Sequence, residues 1–162
     1  MFQIVDAVSG DAAGIQRLLR ETWQDTYGDH LSQKTLEEVY KQFQSIEFLT
    51  RQIENPSFYF PLAKAGDELV GLSTALMPED TIVMFRLYVS PQYQRKGIGA
   101  LLLKNVIEHF QGAKKIQLHV EVMNPKAQWF YKKHGFKEIK REQEKIGNEV
   151  LELILMEKQL IQ

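Results

Sequence analysis

The sequence predicts an α/β chain built on a mixed sheet with helices on both faces. Three observations carry that expectation. Helical patterns come first in the chain, an antiparallel hairpin follows, and then strand–helix–strand–helix leads into two closing strands. At 162 residues the chain is long enough to bury a sizeable core in one domain, 1–162.

Phe2 to Val5 reads as a short first strand. Asp11 to Trp23 reads as an amphipathic helix, because Ile15, Leu18, Leu19 and Trp23 share one face. Leu31 to Ile53 continues the helical pattern, with a break expected near Gln44 and Ser45, and Asn55-Pro56 ends it. Phe58 to Lys64 and Leu69 to Leu76 alternate as hairpin strands across the turn Ala65 to Glu68. After the turn at Pro78-Glu79-Asp80, Ile82 to Val89 reads as a further strand and Ser90 to Gly97 as a polar loop. A helix follows, marked by Ile98, Leu101, Leu102, Val106 and Phe110 and ended near Gly112. Ile116 to Val122 alternates as a strand. Asn124-Pro125 then opens a helix that runs to about Lys133, since Asn caps free N–H groups and Pro suits the first helical position. Phe136 to Lys158 reads as two strands joined at Ile146-Gly147-Asn148. Val150 to Met156 is apolar on both faces, which suggests a subunit contact and a homodimer.

Composition narrows the function classes. A hydrophobic share of 44%, a charged share of 25% and a net charge of −1 describe an ordinary globular chain with no overall field for nucleic acid or an anionic membrane. The absence of cysteine excludes disulfides, thiolate metal sites and a cysteine nucleophile. His30, His109, His119 and His134 lack metal-ligand spacing, so no metal is expected. The start has no basic segment followed by an apolar run, and no stretch approaches the roughly 20 apolar residues of a membrane span. A soluble, cytoplasmic protein is expected.

The sharpest local signal is Tyr93-Gln94-Arg95-Lys96-Gly97-Ile98-Gly99-Ala100, placed between a strand and a helix. A helix start offers unpaired N–H groups and partial positive charge to phosphate. Gly97 and Gly99 remove side chains where phosphate must approach, and Arg95 and Lys96 add cationic charge. A plain loop with solvated basic residues explains the same residues equally well. A dinucleotide-binding turn would need a small residue where Leu102 stands. A P-loop would need Lys and a hydroxyl after its last glycine, whereas Lys96 precedes Gly97.

Downstream, Ala127 and Tyr131 share a helix face. Ala127 is small enough to admit a ligand or a neighbouring strand. Tyr131 taken by itself reads as core packing with a satisfied hydroxyl, or as a phenol that protonates a leaving thiolate. Taken together, Gln94-x-x-Gly97-x-Gly99 and Asn124-x-x-Ala127-x-x-Phe130-Tyr131-x-x-x-Gly135-Phe136 resemble the GNAT superfamily of N-acetyltransferases, and the element order matches over nearly the whole chain.

That resemblance implies a mostly antiparallel, twisted sheet of about seven strands. It also implies acetyl-CoA as co-substrate. The pantetheine arm would lie where the strand Ile82 to Val89 splays from Ile116 to Val122, pairing with the main chain of Leu87 to Val89, Tyr88 included. The pyrophosphate would sit on Gln94, Arg95, Lys96, Gly97, Ile98, Gly99 and Ala100. Asn124, with Ala127 and Phe130, would contact the cofactor, Lys133 would reach the adenosine phosphates, and Tyr131 would be the general acid.

Several relatives carry a glutamate two residues before the motif asparagine. Here that position is Val122, so the general base is open between Glu121, on the opposite strand face, and a bound water. Glu121 also reads as an ordinary exposed strand residue. Glu21, Asp25 and Asp29 recur at four-residue spacing, interleaved with Trp23 and Tyr27. They read as a solvated helix face beside core aromatics, or as an acidic and aromatic wall for a cationic amine. The segment Glu21-Thr-Trp-Gln-Asp-Thr-Tyr and the ending Phe130-Tyr-Lys-Lys133-x-Gly135-Phe136 are also similar to bacterial polyamine acetyltransferases. The expected acceptor is therefore a primary amine of a small molecule or a peptide. A non-catalytic acyl-CoA sensor of the same fold is the alternative.

Overall fold

The computed structural model describes residues 1–160. In chain order the elements are β1 (Gln3–Asp6), α1 (Ala12–Tyr27), α2 (Gln33–Phe43), α3 (Ile46–Glu54), β2 (Pro61–Ala65), β3 (Glu68–Leu76), β4 (Thr81–Val89), α4 (Ile98–His109), β5 (Lys115–Glu121), α5 (Pro125–Lys133), β6 (Lys137–Ile146) and β7 (Glu149–Gln159). The seven strands form one open sheet in the order β1-β2-β3-β4-β5-β7-β6. Only β4 and β5 run parallel; every other neighbouring pair is antiparallel.

The expected break between the second and third helices falls where the hydroxyls allow it. Ser32 Oγ accepts from the Thr35 N–H at 3.1 Å, and Ser45 Oγ accepts from the Phe48 N–H at 3.1 Å, so each helix has its own cap. α1 runs one turn beyond Trp23 and thereby brings Tyr27 onto the buried face. The strand expected over Phe58 to Lys64 pairs regularly only from Pro61. Tyr59 instead makes an isolated bridge to Ala75, and Pro61 has no N–H to continue a ladder in the other direction.

The helices divide between the two faces. α1 and α2 pack with Leu151 and Leu153 on one side, and α1 and α3 with Leu62 and Leu72. On the other side, α4 and α5 cover Ile82, Met84, Ile116, Leu118, Ile154 and Met156. β7 therefore lies between β5 and β6, with Leu151 and Leu153 packed on one face and Ile154 and Met156 on the other. Leu151, Leu153, Ile154 and Met156 are thereby spent on the chain's own core, and Val150 is the exposed apolar residue of that segment. Among the described residues no helix is long and apolar enough to cross a membrane.

One irregularity in β4 sets the geometry of the site. Arg86 pairs with Thr74 and Met84 with Ala75, so Phe85 is an extra residue, a β-bulge. Pairing of β4 with β5 stops at once, at Met84 opposite Leu118. Beyond that point the two strands part. The bulge also changes which face each side chain takes. Ile82 and Met84 face α4 and α5. After the bulge Tyr88 turns to the α1 side, and Leu87 and Val89 pack against Ile98 and Leu102 of α4.

Candidate active site

The loop after β4 is shaped for an anion. Arg95 and Gly97 both take left-handed backbone, at φ 64° and 85°. Such a conformation is costly for Arg and natural for Gly. No backbone N–H from Arg95 to Ala100 meets an acceptor among the described residues; the next, Leu101, donates to Gly97 O at 3.0 Å. These unpaired donors lie at the N-terminus of α4, where the helix dipole adds partial positive charge. A Cβ at Gly97 would meet nothing within 4 Å, so the space before the helix is open. Gly99 serves differently: its Cβ would stand 3.3 Å from the Phe130 ring, so the missing side chain lets α4 and α5 approach. The side chains of Arg95 and Lys96 are exposed beside these donors.

The parted ends of β4 and β5 lead away from that loop. Leu87, Tyr88 and Val89 line one edge. The other edge ends at Glu121, where Gln128 Nε2 donates to the carbonyls of Glu121 and Val122 at 3.1 and 2.8 Å and holds the strand end against α5. Asn124 caps α5, its Oδ1 accepting from the Ala127 N–H at 3.2 Å. Ala127 and Phe130 are half-buried against the core. Lys133, at the exposed end of α5, sets its ammonium 5.2 Å from the Trp129 ring centroid.

At the gap, groups from both faces of the sheet come together. Tyr131 is buried, and its hydroxyl has no hydrogen-bond partner among the described residues. It is not sealed off, since Gln44 Oε1 is the only side-chain atom among those residues that is buried without a partner. Burial pushes its phenol well above the usual range, and the neighbouring Tyr88 and Glu121 reinforce the shift. From the α1 side, the Tyr27 hydroxyl donates to the Glu121 carboxylate. Asn124 Nδ2 donates to the same Tyr27 oxygen at 3.4 Å. Trp23 Nε1 donates to the Tyr88 hydroxyl at 3.1 Å. Burial raises Glu121 above the ordinary carboxylate range, an effect that the Tyr27 hydrogen bond only partly offsets. Burial likewise raises Tyr27 and Tyr88, which remain neutral phenols.

This arrangement changes the sequence picture at several residues. Glu121 does lie on the opposite face from Val122, but it is half-buried in a polar network and not an exposed strand residue. Trp23 and Tyr27 are buried, whereas Glu21, Asp25 and Asp29 are exposed, so the acidic row is a solvated face. Glu21 alone reaches back, accepting from Ser90 Oγ at 3.1 Å at the start of the phosphate-type loop. The side chains of Tyr88 and Gln128 were not legible as site residues. The first depends on the bulge at Phe85, and the second on a helix-to-strand contact that no spacing encodes.

A profile of the acetyltransferase (GNAT) domain matches residues 27–160. The chain belongs to the GNAT acetyltransferase family. Members of that family use acetyl-CoA as acetyl donor. The acetyltransferase is 29% identical over 133 residues to spermidine N(1)-acetyltransferase of Thermoplasma acidophilum, a match that covers 78% of this chain and 83% of that protein. It is 31% identical over 110 residues to spermidine N(1)-acetyltransferase of Vibrio cholerae, covering 63% of each. The crystal structure of PaiA N-acetyltransferase from T. acidophilum in complex with coenzyme A matches with a TM-score of 0.82 at 26% identity, over 98% of this chain and 99% of that one. The ribosomal-protein-S18-alanine N-acetyltransferase of Escherichia coli shares the fold, with a TM-score of 0.77 at 16% identity over 100% and 96% of the two chains.

Proposed function

We propose that this acetyltransferase moves an acetyl group from acetyl-CoA to a primary amine of a small molecule, with polyamines the first candidates, and that Glu121 and Tyr131 are its base and acid. The observation that carries this reading is the opening left where β4 and β5 stop pairing at Met84 and Leu118, flanked by β5 with the Tyr27-bound Glu121 carboxyl and by α5 with the unpartnered Tyr131 hydroxyl.

In this reading the pyrophosphate lies on Gln94 to Ala100, and the pantetheine arm follows the free edge of β4 at Leu87 to Val89, as an added strand would. The thioester then reaches the gap. The acceptor enters from the α1 side, where the half-buried Tyr88 ring, backed by Trp23 and Tyr27, offers aromatic surface to an ammonium group. Glu121 takes its proton directly or through one water. A carboxyl raised by burial is a better base for this work than an exposed one. The freed amine attacks the carbonyl carbon. A C–N bond forms, the C–S bond breaks, the sulfur takes a proton from Tyr131, and the second proton shed by the new amide nitrogen returns to the Tyr131 oxygen through water. The same dry surroundings that hold the phenol protonated also raise the proton affinity of the departing thiolate, so the transfer is not penalised on one side only.

The polyamine preference is supported by the names of the two curated relatives and by the aromatic and carboxylate groups on the acceptor side. Thiol release from acetyl-CoA, measured with spermidine, spermine, amino sugars and peptide amines, tests it. Acceptor-dependent release with polyamines is expected. Acetylation of peptide N-termini with no polyamine turnover would refute the acceptor assignment.

A further inference from the structure

We infer that Trp129 is the adenine platform of the donor site, an assignment that rests on the proposed seating of the pyrophosphate at Gln94 to Ala100. The chain has two tryptophans. Trp23 is buried, but Trp129 is 66% exposed, an unusual position for the largest side chain. Its neighbours on α5 behave otherwise: Tyr131 is buried and Phe130 is half-buried against Gly99. At 100° per residue along the helix, Lys126, Trp129 and Lys133 form one outward face that begins where Phe130 meets the phosphate-type loop.

Coenzyme A is long, and with its pyrophosphate on the loop and its pantetheine in the gap, the adenosine end must lie outside the sheet. Trp129 is the α5 residue next to Phe130, whose ring touches Gly99 of the loop, so this outward face adjoins the loop. The face offers what a phosphorylated adenosine requires: a planar π surface for the base and two lysines for a dianionic phosphate. The Lys133 ammonium already lies over the indole, 5.2 Å from its centroid, so a cation is held next to one ring face while the other is open to a ligand.

The test uses the full chain and two probes, coenzyme A and 4′-phosphopantetheine, which lacks the adenosine. Base–aromatic stacking of about 1–3 kcal/mol corresponds to about a 5- to 150-fold change in affinity. Trp129→Ala is therefore expected to weaken coenzyme A by that factor by calorimetry, with 4′-phosphopantetheine unchanged within twofold. Coenzyme A, but not 4′-phosphopantetheine, should quench the exposed indole's fluorescence in the unaltered protein. Equal affinity of the variant and the parent for coenzyme A, or an equal loss for both probes, would overturn the assignment. A changed oligomeric state with unchanged coenzyme A affinity would overturn it too, and give Trp129 to a subunit contact. If the parent protein binds neither probe, the donor-site reading itself fails.

Discussion

Changing Glu121 to Gln removes the proposed base but keeps an oxygen that can accept from the Tyr27 hydroxyl. Activity and stability should then move apart. Loss of a general base costs about 10²- to 10⁴-fold in turnover. Stability should not follow. Burial raises the Glu121 carboxyl above its usual value of 4.5. A group raised on folding favours the fold at pH below its unfolded value, and that contribution is lost as pH climbs through the folded value. At pH 8 the ionised carboxylate therefore weighs against the fold, and a neutral Gln does not carry that cost. Every tenfold rise in the carboxylate's proton affinity on folding is worth about 1.4 kcal/mol, or about 3–5 °C in Tm for a chain of this size. A weaker hydrogen bond from Tyr27 offsets part of the gain, since bonds to charged acceptors exceed neutral ones by about 1 kcal/mol. Thermal unfolding at pH 8 and pH 5, beside thiol release over the same range, reads both effects. The variant should match or exceed the parent Tm at pH 8, with the difference narrowing toward pH 5, and should lose the acid limb of kcat/KM. Turnover within threefold of the parent would refute the base assignment. So would a fall in turnover accompanied by a large fall in Tm, because Glu121 would then act only through packing.

Three further changes probe other parts of the site. Tyr131→Phe should lower turnover about 10²- to 10⁴-fold and leave acetyl-CoA affinity nearly intact; unchanged turnover in steady-state assays would remove Tyr131 from the mechanism. Gly97→Ala meets no atom within 4 Å but forces a side chain onto φ 85°. It should cost about 1–2 kcal/mol, seen in denaturant unfolding, and should weaken acetyl-CoA binding measured by calorimetry. Trp23→Phe keeps an aromatic ring but removes the N–H that reaches the Tyr88 hydroxyl at 3.1 Å. It should raise the acceptor KM with little change in that for acetyl-CoA, and an equal rise in both would refute an acceptor-side role.

Much of the fold was readable because it rests on local chemistry. The Ser45 cap, the Asn124-Pro125 start and the Gly97 turn each act within a few residues, so spacing alone located the starts of α3, α5 and α4. The placement of the glycine-bearing loop between β4 and α4 was legible for the same reason. What was not legible depends on partners distant in sequence. Tyr27 and Glu121 are 94 residues apart, and Trp23 and Tyr88 are 65 apart. The two-sided apolarity of Val150 to Met156 suited an interior strand and a subunit contact equally well. The strand order, with β7 between β5 and β6, accounts for Leu151 to Met156 but leaves Val150 exposed.

The bulge at Phe85 ties these distant pieces together. A β4 without it would keep Tyr88 on the side taken by Ile82 and Met84, because even-numbered side chains share a face in an unbroken strand. The phenol would then point toward α4, and Trp23 would have no partner. Strand pairing with β5 would also have no reason to stop at Met84 and Leu118, and its ladder would fill the gap proposed for the thioester. One inserted residue therefore does two things. It opens the sheet, and it turns Tyr88 toward α1, where Tyr27 holds Glu121. Tyr131 reaches the same opening from α5 on the other face. The proposed base and acid stand on opposite faces of the sheet and can serve one reaction only where it is parted, which happens at the extra residue in β4.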